Sequence, residues 1–181
     1  NGKWANAQTD DGSLYVWIPR YSYKITSGEH ASGNSWNSLD NPGTNKIEVK
    51  FSDETTDDTS NGYIAHPAFN FGGTQLEGIW VAKYEASRND ATSSTEGSGT
   101  TPFSKPGVVS WSGQIPIDTI SDMFNYAYNY NRDLESHMMK NSEWGAVAYL
   151  THSQYGRNGH EIDNNNTSVT GCGSGSTSAP E

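Results

Sequence analysis

The sequence predicts an α+β fold with a small, twisted, mostly antiparallel sheet, two helices and long loops. Three observations point there. Apolar residues make up only 32% of the chain, and Gly, Ser, Thr and Asn abound, which suits loops and short strands better than a helical bundle. Aromatic residues nonetheless reach 12%, a content that a disordered chain lacks. Short β-rich runs fill the first half, and two segments of helical period follow in the second.

The elements follow in order. Leu14-Tyr15-Val16-Trp17-Ile18 is a β-rich run closed by Pro19. Tyr21-Ser22-Tyr23-Lys24-Ile25 alternates apolar and polar residues, the period of a half-buried strand. A polar loop spans Gly28 to Pro42. Lys46 to Phe51 alternates again, directing Ile47, Val49 and Phe51 to a core. Ser52 to Gly62 is an acidic loop, and His66 to Phe71 reads as an ordered turn. Gly78-Ile79-Trp80-Val81-Ala82-Lys83-Tyr84-Glu85 is the strongest strand, with Ile79, Val81 and Tyr84 expected inside and Trp80 also placed on a core face.

Arg88 to Thr101 is a Ser/Thr/Gly loop, and Pro102 to Pro116 is a connector punctuated by proline. Asp118 or Ser121 then opens a helix whose Ile120, Met123, Phe124, Ala127 and Tyr128 share one face. Asn141 or Ser142 caps a second helix, with Trp144, Val147, Ala148 and Thr151 on the inner face and Gly156 as a left-handed stop. From Asp163 onward the chain is Asn, Ser, Thr and Gly with almost nothing to bury. The organisation expected is one domain over residues 1–162 and a tail or linker over 163–181.

Charge excludes several functions. The formal net charge of −10, with no Lys/Arg run, repels duplex nucleic acid and anionic membrane surfaces. No apolar run approaches the roughly 20 residues that span a bilayer. The single cysteine, Cys172, cannot form an internal disulfide. The polar, lysine-poor composition reads as a protein exposed outside a cell, in a bacterial or viral setting.

Three segments carry a family resemblance. Ile79-Trp80-Val81-Ala82-Lys83-Tyr84-Glu85, the Pro106-to-Trp111 connector and the Glu143-Trp144 helix resemble formylglycine-generating-enzyme-like domains of the C-type-lectin fold. The chain also looks like surface domains of gut Firmicutes and their phages, which carry segments similar to VWIPRYSYKI and MKNSEWGAVAYLTHS. The resemblance covers roughly Trp4 to Gly173 and implies a lectin-like core. Domains of that group continue to a YDMSGGAWE-like segment that is absent here. The expectation is that the native product is longer than this chain, is completed by another chain, or works as an oligomer.

The resemblance does not bring an enzyme's residues with it. Formylglycine-generating enzymes use a pair of active-site cysteines, and this chain has one. Related sulfoxide synthases hold iron with clustered histidines. His30, His66, His137, His152 and His160 include no pair at the helical spacing of a metal site. No nucleophile elbow, phosphate loop or dinucleotide fingerprint occurs. Asp53, Glu54, Asp57 and Asp58 could attract calcium, but their spacing matches no defined calcium loop, and a solvated acidic loop explains them. No cofactor is expected.

The candidate ligand-binding residues are Trp36 with Asn34 and Asn37. An exposed tryptophan among amides can stack on a sugar ring while the amides meet its hydroxyls; the ordinary alternative is a Trp that packs back on its own domain. The Tyr126-to-Tyr130 helix end reads as an interface or as a plain amphipathic surface. The function expected is a non-enzymatic surface-display or adhesion module, on a bacterial cell surface or phage virion, binding a glycan or a surface protein. The alternative is a structural subunit of a pilus-like filament or virion. An enzyme of the formylglycine-generating or sulfoxide-synthase type comes third.

Overall fold

The computed structural model describes residues 4–27, 46–53, 55–112 and 118–157. The strands are β1 (Asn6–Gln8), β2 (Leu14–Pro19), β3 (Tyr21–Ser27), β4 (Lys46–Phe51), β5 (Ile64–Ala65), β6 (Asn70–Phe71), β7 (Thr74–Gln75), β8 (Gly78–Ala82), β9 (Ser87–Arg88) and β10 (Pro102–Phe103). The helices are α1 (Ile120–Tyr130) and α2 (Asn141–His152). The class is α+β, with small sheets ordered β1-β2-β8, β10-β9, β4-β3-β5 and β6-β7. Among the described residues the chain forms two compact units, one from 4–17 and 80–139, the other from 18–79 and 140–157.

The second unit holds an aromatic core. β3 forms as expected, and antiparallel pairing sets Tyr21 opposite Phe51, Tyr23 opposite Val49 and Ile25 opposite Ile47. Burial does not alternate along it: Ser22 is buried too, and Tyr23, Lys24 and Ile25 are all half-buried. Tyr21, Val49, Ala68, Phe69, Ala146 and Leu150 are buried. The Tyr21 hydroxyl donates to the Ala146 carbonyl at 2.6 Å, which satisfies a polar tip inside an apolar core. Phe51, expected inside with Ile47 and Val49, is partly exposed and packs edge-on to Tyr21 and against Tyr155.

His66 sits in this core. Tyr21, Tyr23, Phe69 and Tyr149 surround its ring at centroid distances of 5.2, 5.2, 5.9 and 5.6 Å. It opens the 3-10 turn Pro67–Phe69, its Nδ1 accepting the Ala68 amide at 3.2 Å. Nδ1 is therefore the unprotonated nitrogen.

The expected inner face of α2 is rotated by one residue. Glu143, Ala146 and Leu150 are buried, Val147, Ala148 and Thr151 are half-buried, and Trp144 is 60% exposed. The reason is volume. The sheet side already supplies Tyr21, Tyr23, Phe69 and His66, which leaves room only for small residues at Gly145 and Ala146. Ala146 is fully buried, and a Cβ at Gly145 would sit 3.8 Å from the His66 Nε2. Neither Asn141 nor Ser142 caps the helix. Lys140 is the N-cap, and the Glu143 carboxylate reaches back to accept its amide at 2.8 Å, the returning half of a capping box. The helix ends at Ser153, not at a left-handed Gly156. Gly156 serves close approach instead: a Cβ there would sit 2.2 Å from the Thr151 carbonyl oxygen, which accepts the Arg157 amide.

The strongest strand alternates as a strand must. Val81 is buried and Ile79 half-buried, while Trp80 lies on the other face at 50% exposure, its ring 5.2 Å from Trp17. Tyr84 falls beyond the end of β8 and is exposed, so neither Trp80 nor Tyr84 is a core residue. The acidic loop is a set of turn bonds: Asp58 accepts from Ser60 and Asn61, and Asp57 from the Ala65 amide. No helix among the described residues is long and apolar enough to cross a membrane.

Two outcomes test this packing. Leu150→Ala should lower unfolding free energy by roughly 2–5 kcal/mol, and Trp144→Ala by less than about 1 kcal/mol, in urea titrations. The order reverses if Trp144 faces a core. Burial also lowers the His66 imidazole from its ordinary 6.5 to about 4. The unfolded histidine takes a proton below 6.5 and the folded one does not until about 4. Stability from this group is therefore complete above pH 6.5 and falls as pH drops toward 4, by roughly 3 kcal/mol. Urea midpoints measured from pH 7.5 to 4.5 should fall more steeply for the wild type than for His66→Gln.

Candidate functional site

The first unit is built differently, around polar groups. Ser13, Ser87, Arg88, Ser104 and Asp118 are buried, against Val81 as its one fully buried apolar residue among those described. Ser104 is a three-way tie: its amide donates to the Ser13 hydroxyl at 3.1 Å, and its own hydroxyl donates to the Leu14 carbonyl at 3.0 Å and accepts the Tyr84 amide at 3.1 Å.

Arg88 is the centre of this unit. Its Nη2 donates to Asp118 Oδ2, its Nη1 to the Gly99 carbonyl at 2.8 Å and its Nε to Glu96 Oε1 at 3.3 Å. The guanidinium lies over the Trp111 ring at 4.2 Å, and the Trp111 indole N–H donates to the same Asp118 oxygen at 3.0 Å. Trp111 in turn stacks on Tyr126 of α1, at 5.3 Å and 26°. Burial alone would raise Glu96, but the Ser112 hydroxyl and amide and then Arg88 outweigh it and hold its carboxyl below the ordinary range.

The sequence placed Asp118 or Ser121 at the start of α1. The N-cap is Thr119, in a capping box with Asp122, and Asp118 is spent on Arg88. The covered face of α1 is not the expected one. Ile120, Phe124 and Tyr128 form an exposed stripe, and Met123, Tyr126, Ala127 and Tyr130 are the partly covered side. Tyr128, placed on a core face by the sequence, is thus at the surface.

Between α1 and the end of the Ser/Thr/Gly loop lies a cleft of about 270 Å³, lined by Thr100, Thr101, Asn125, Tyr126, Asn129 and Tyr130. Both walls are fixed. The loop is tied by Asp90, which accepts the Ser98 and Gly99 amides, and by Arg88 on Gly99. The helix is tied by Asp118, by Tyr126 on Trp111, and by the Tyr130 hydroxyl donating to Asp11 Oδ2 at 2.9 Å. Thr100, Thr101, Asn125 and Asn129 make no side-chain hydrogen bond among the described residues. Asn6, Asn61, Asn70 and Asn131 are all bonded within the chain.

The lining carries no carboxylate, imidazole, thiol or amine. Among the described residues no three His, Cys, Asp or Glu side chains gather as a metal site would require. The cleft can donate and accept hydrogen bonds and offer tyrosine edges.

Trp36, Asn34 and Asn37 lie outside the described residues, as do His30, His160, Cys172 and the segment from Asp163. Sequence reasoning missed Asn125 and Asn129. A signal was present: two asparagines one turn apart in a short helix, where each is a poorer helix former than Ala by roughly half a kcal/mol. Compared with family models and with curated proteins, the chain matches none.

Two substitutions test the support. Arg88→Met leaves Asp118 buried without its cation and should destabilise the protein by about 3–5 kcal/mol. Adding Asp118→Leu to that variant should recover part of the loss. A double variant no more stable than the single one overturns the view that the unpaired buried charge is the cost.

Proposed function

We propose that this chain is a non-catalytic extracellular module of C-type-lectin-like architecture, on a bacterial surface or phage particle, that adheres to a ligand and most simply to a glycan. The observation that carries the reading is the cleft: four neutral, uncommitted hydrogen-bonding side chains converge on one place between walls held by buried contacts. Binding surfaces on loops positioned by a rigid scaffold have this form. The lining of Thr, Asn and Tyr side chains, all able to donate and accept hydrogen bonds, suits binding.

A structural-subunit reading draws on a separate observation, the exposed Ile120, Phe124 and Leu134 near one another in sequence. Large exposed apolar side chains in succession suit a surface covered in an assembly.

Retention on immobilised cell-surface glycans tests the first reading. The wild type should be retained, and Asn125→Ala/Asn129→Ala should bind at least about tenfold more weakly while keeping its circular dichroism. Equal retention of both would defeat it. Concentration-dependent assembly in light scattering, lost in Phe124→Lys, would favour the subunit reading.

A further inference from the structure

We infer that the cleft takes one terminal, uncharged sugar residue and takes it without a metal ion. This rests on the glycan-binding reading above and narrows it. Size sets the first limit. A volume of about 270 Å³ falls just under the usual range of small-molecule pockets, roughly 300–1,000 Å³, so one ring fits better than a run of several.

Chemistry sets the second. An asparagine amide and a threonine hydroxyl each both donate and accept, which is what a sugar's neighbouring hydroxyls require. Asn125 and Asn129 stand one turn apart on α1, with Thr100 and Thr101 on the loop. Binding would break no internal hydrogen bond of these four. Tyr126 is held in place by its stack on Trp111, so its ordering cost is met before a ligand arrives.

Charge sets the third. An anionic sugar would have to give up water for its carboxylate or sulfate and find a cation in return. None lines the cleft. Arg88 is buried and spends all three guanidinium nitrogens on Asp118, Gly99 and Glu96. Lys105 lies over the Phe103 ring at 4.0 Å. Arg132 lies over Tyr128. The one cation tied to the cleft walls, Arg88, is already paired with Asp118 and Glu96, and the other ionised groups there are carboxylates, Asp11 on Tyr130 and Asp90 on the loop. They disfavour an anion.

The same carboxylates do not make a calcium site. Calcium needs six to eight oxygen ligands. Asp11 already accepts from Thr9 and Ser13 at one oxygen and from Tyr130 at the other.

The test is an array of glycans ending in neutral hexoses or N-acetylhexosamines, the same glycans capped with sialic acid or sulfate, each read with calcium and with EDTA. The expected result is binding to neutral termini, unchanged by EDTA, reduced at least about tenfold by capping and by Asn125→Ala/Asn129→Ala. Preference for sialylated or sulfated termini, or loss of binding in EDTA, with the double variant still defective, overturns this inference and leaves the glycan reading standing. Absence of binding to every glycan, or binding that the double variant does not change, overturns the glycan reading itself. Both asparagines are exposed and alanine is the better helix former, so the variant is expected to fold; Asn129→Asp is a second probe that should weaken neutral binding while leaving the helix intact.

Discussion

The buried Arg88 guanidinium is the interaction on which the first unit depends. It joins a strand residue to the loop at Glu96 and Gly99, to the Trp111 connector and to the residue just before α1. Taking two charges out of water is expensive, and their attraction offsets the cost only when the geometry is good and the remaining donors are satisfied. Here Asp118 also receives the Trp111 indole N–H, and each nitrogen of Arg88 has an oxygen partner. A polar network of this kind tolerates few alternative arrangements. It can therefore fix long loops that have little apolar surface to bury.

The second unit solves the same problem by the opposite route. Tyr21, Phe69, Ala146 and Leu150 supply a close-packed core, and the Tyr21 hydroxyl and the His66 Nδ1 within it are hydrogen-bonded. A histidine ring replaces what would otherwise be another aromatic. Surrounded by tyrosines and phenylalanine, it stays neutral at ordinary pH and couples the fold of this unit to acid. Glu96 in the first unit adds the same sign by another mechanism: a carboxylate held below its ordinary range contributes stability that is lost as pH falls.

Position and chemistry are divided between layers in the first unit. Charged groups lie beneath the surface and set geometry, and the neutral Asn, Thr and Tyr groups above them remain available. The helix α1 reflects that division. It lacks the Glu–Lys pairs that stabilise exposed helices and carries Asn and Tyr instead, so its stability comes from Thr119, Asp122 and its anchors at Asp118 and Trp111.

The sequence by itself determined where the longer strands and the two helices lie and that the class is α+β, because period-2 and period-3.6 patterns are local properties of the chain. The short strands β1, β5 to β7, β9 and β10 were not legible in it. The runs at Leu14, Tyr21, Lys46 and Gly78 became strands, and both helical segments became helices. Which face each element buries was decided only in three dimensions. Trp144 and Tyr128 are apolar enough to mark a core face, yet both are exposed: aromatics of β3 and the His66 turn pack beside α2, and α1 is held at Asp118 and at Tyr126 on Trp111. The cleft was illegible for a related reason. Its two walls are about 25 residues apart in sequence, and Arg88 binds both the loop and the residue before α1, a partnership that no local pattern encodes.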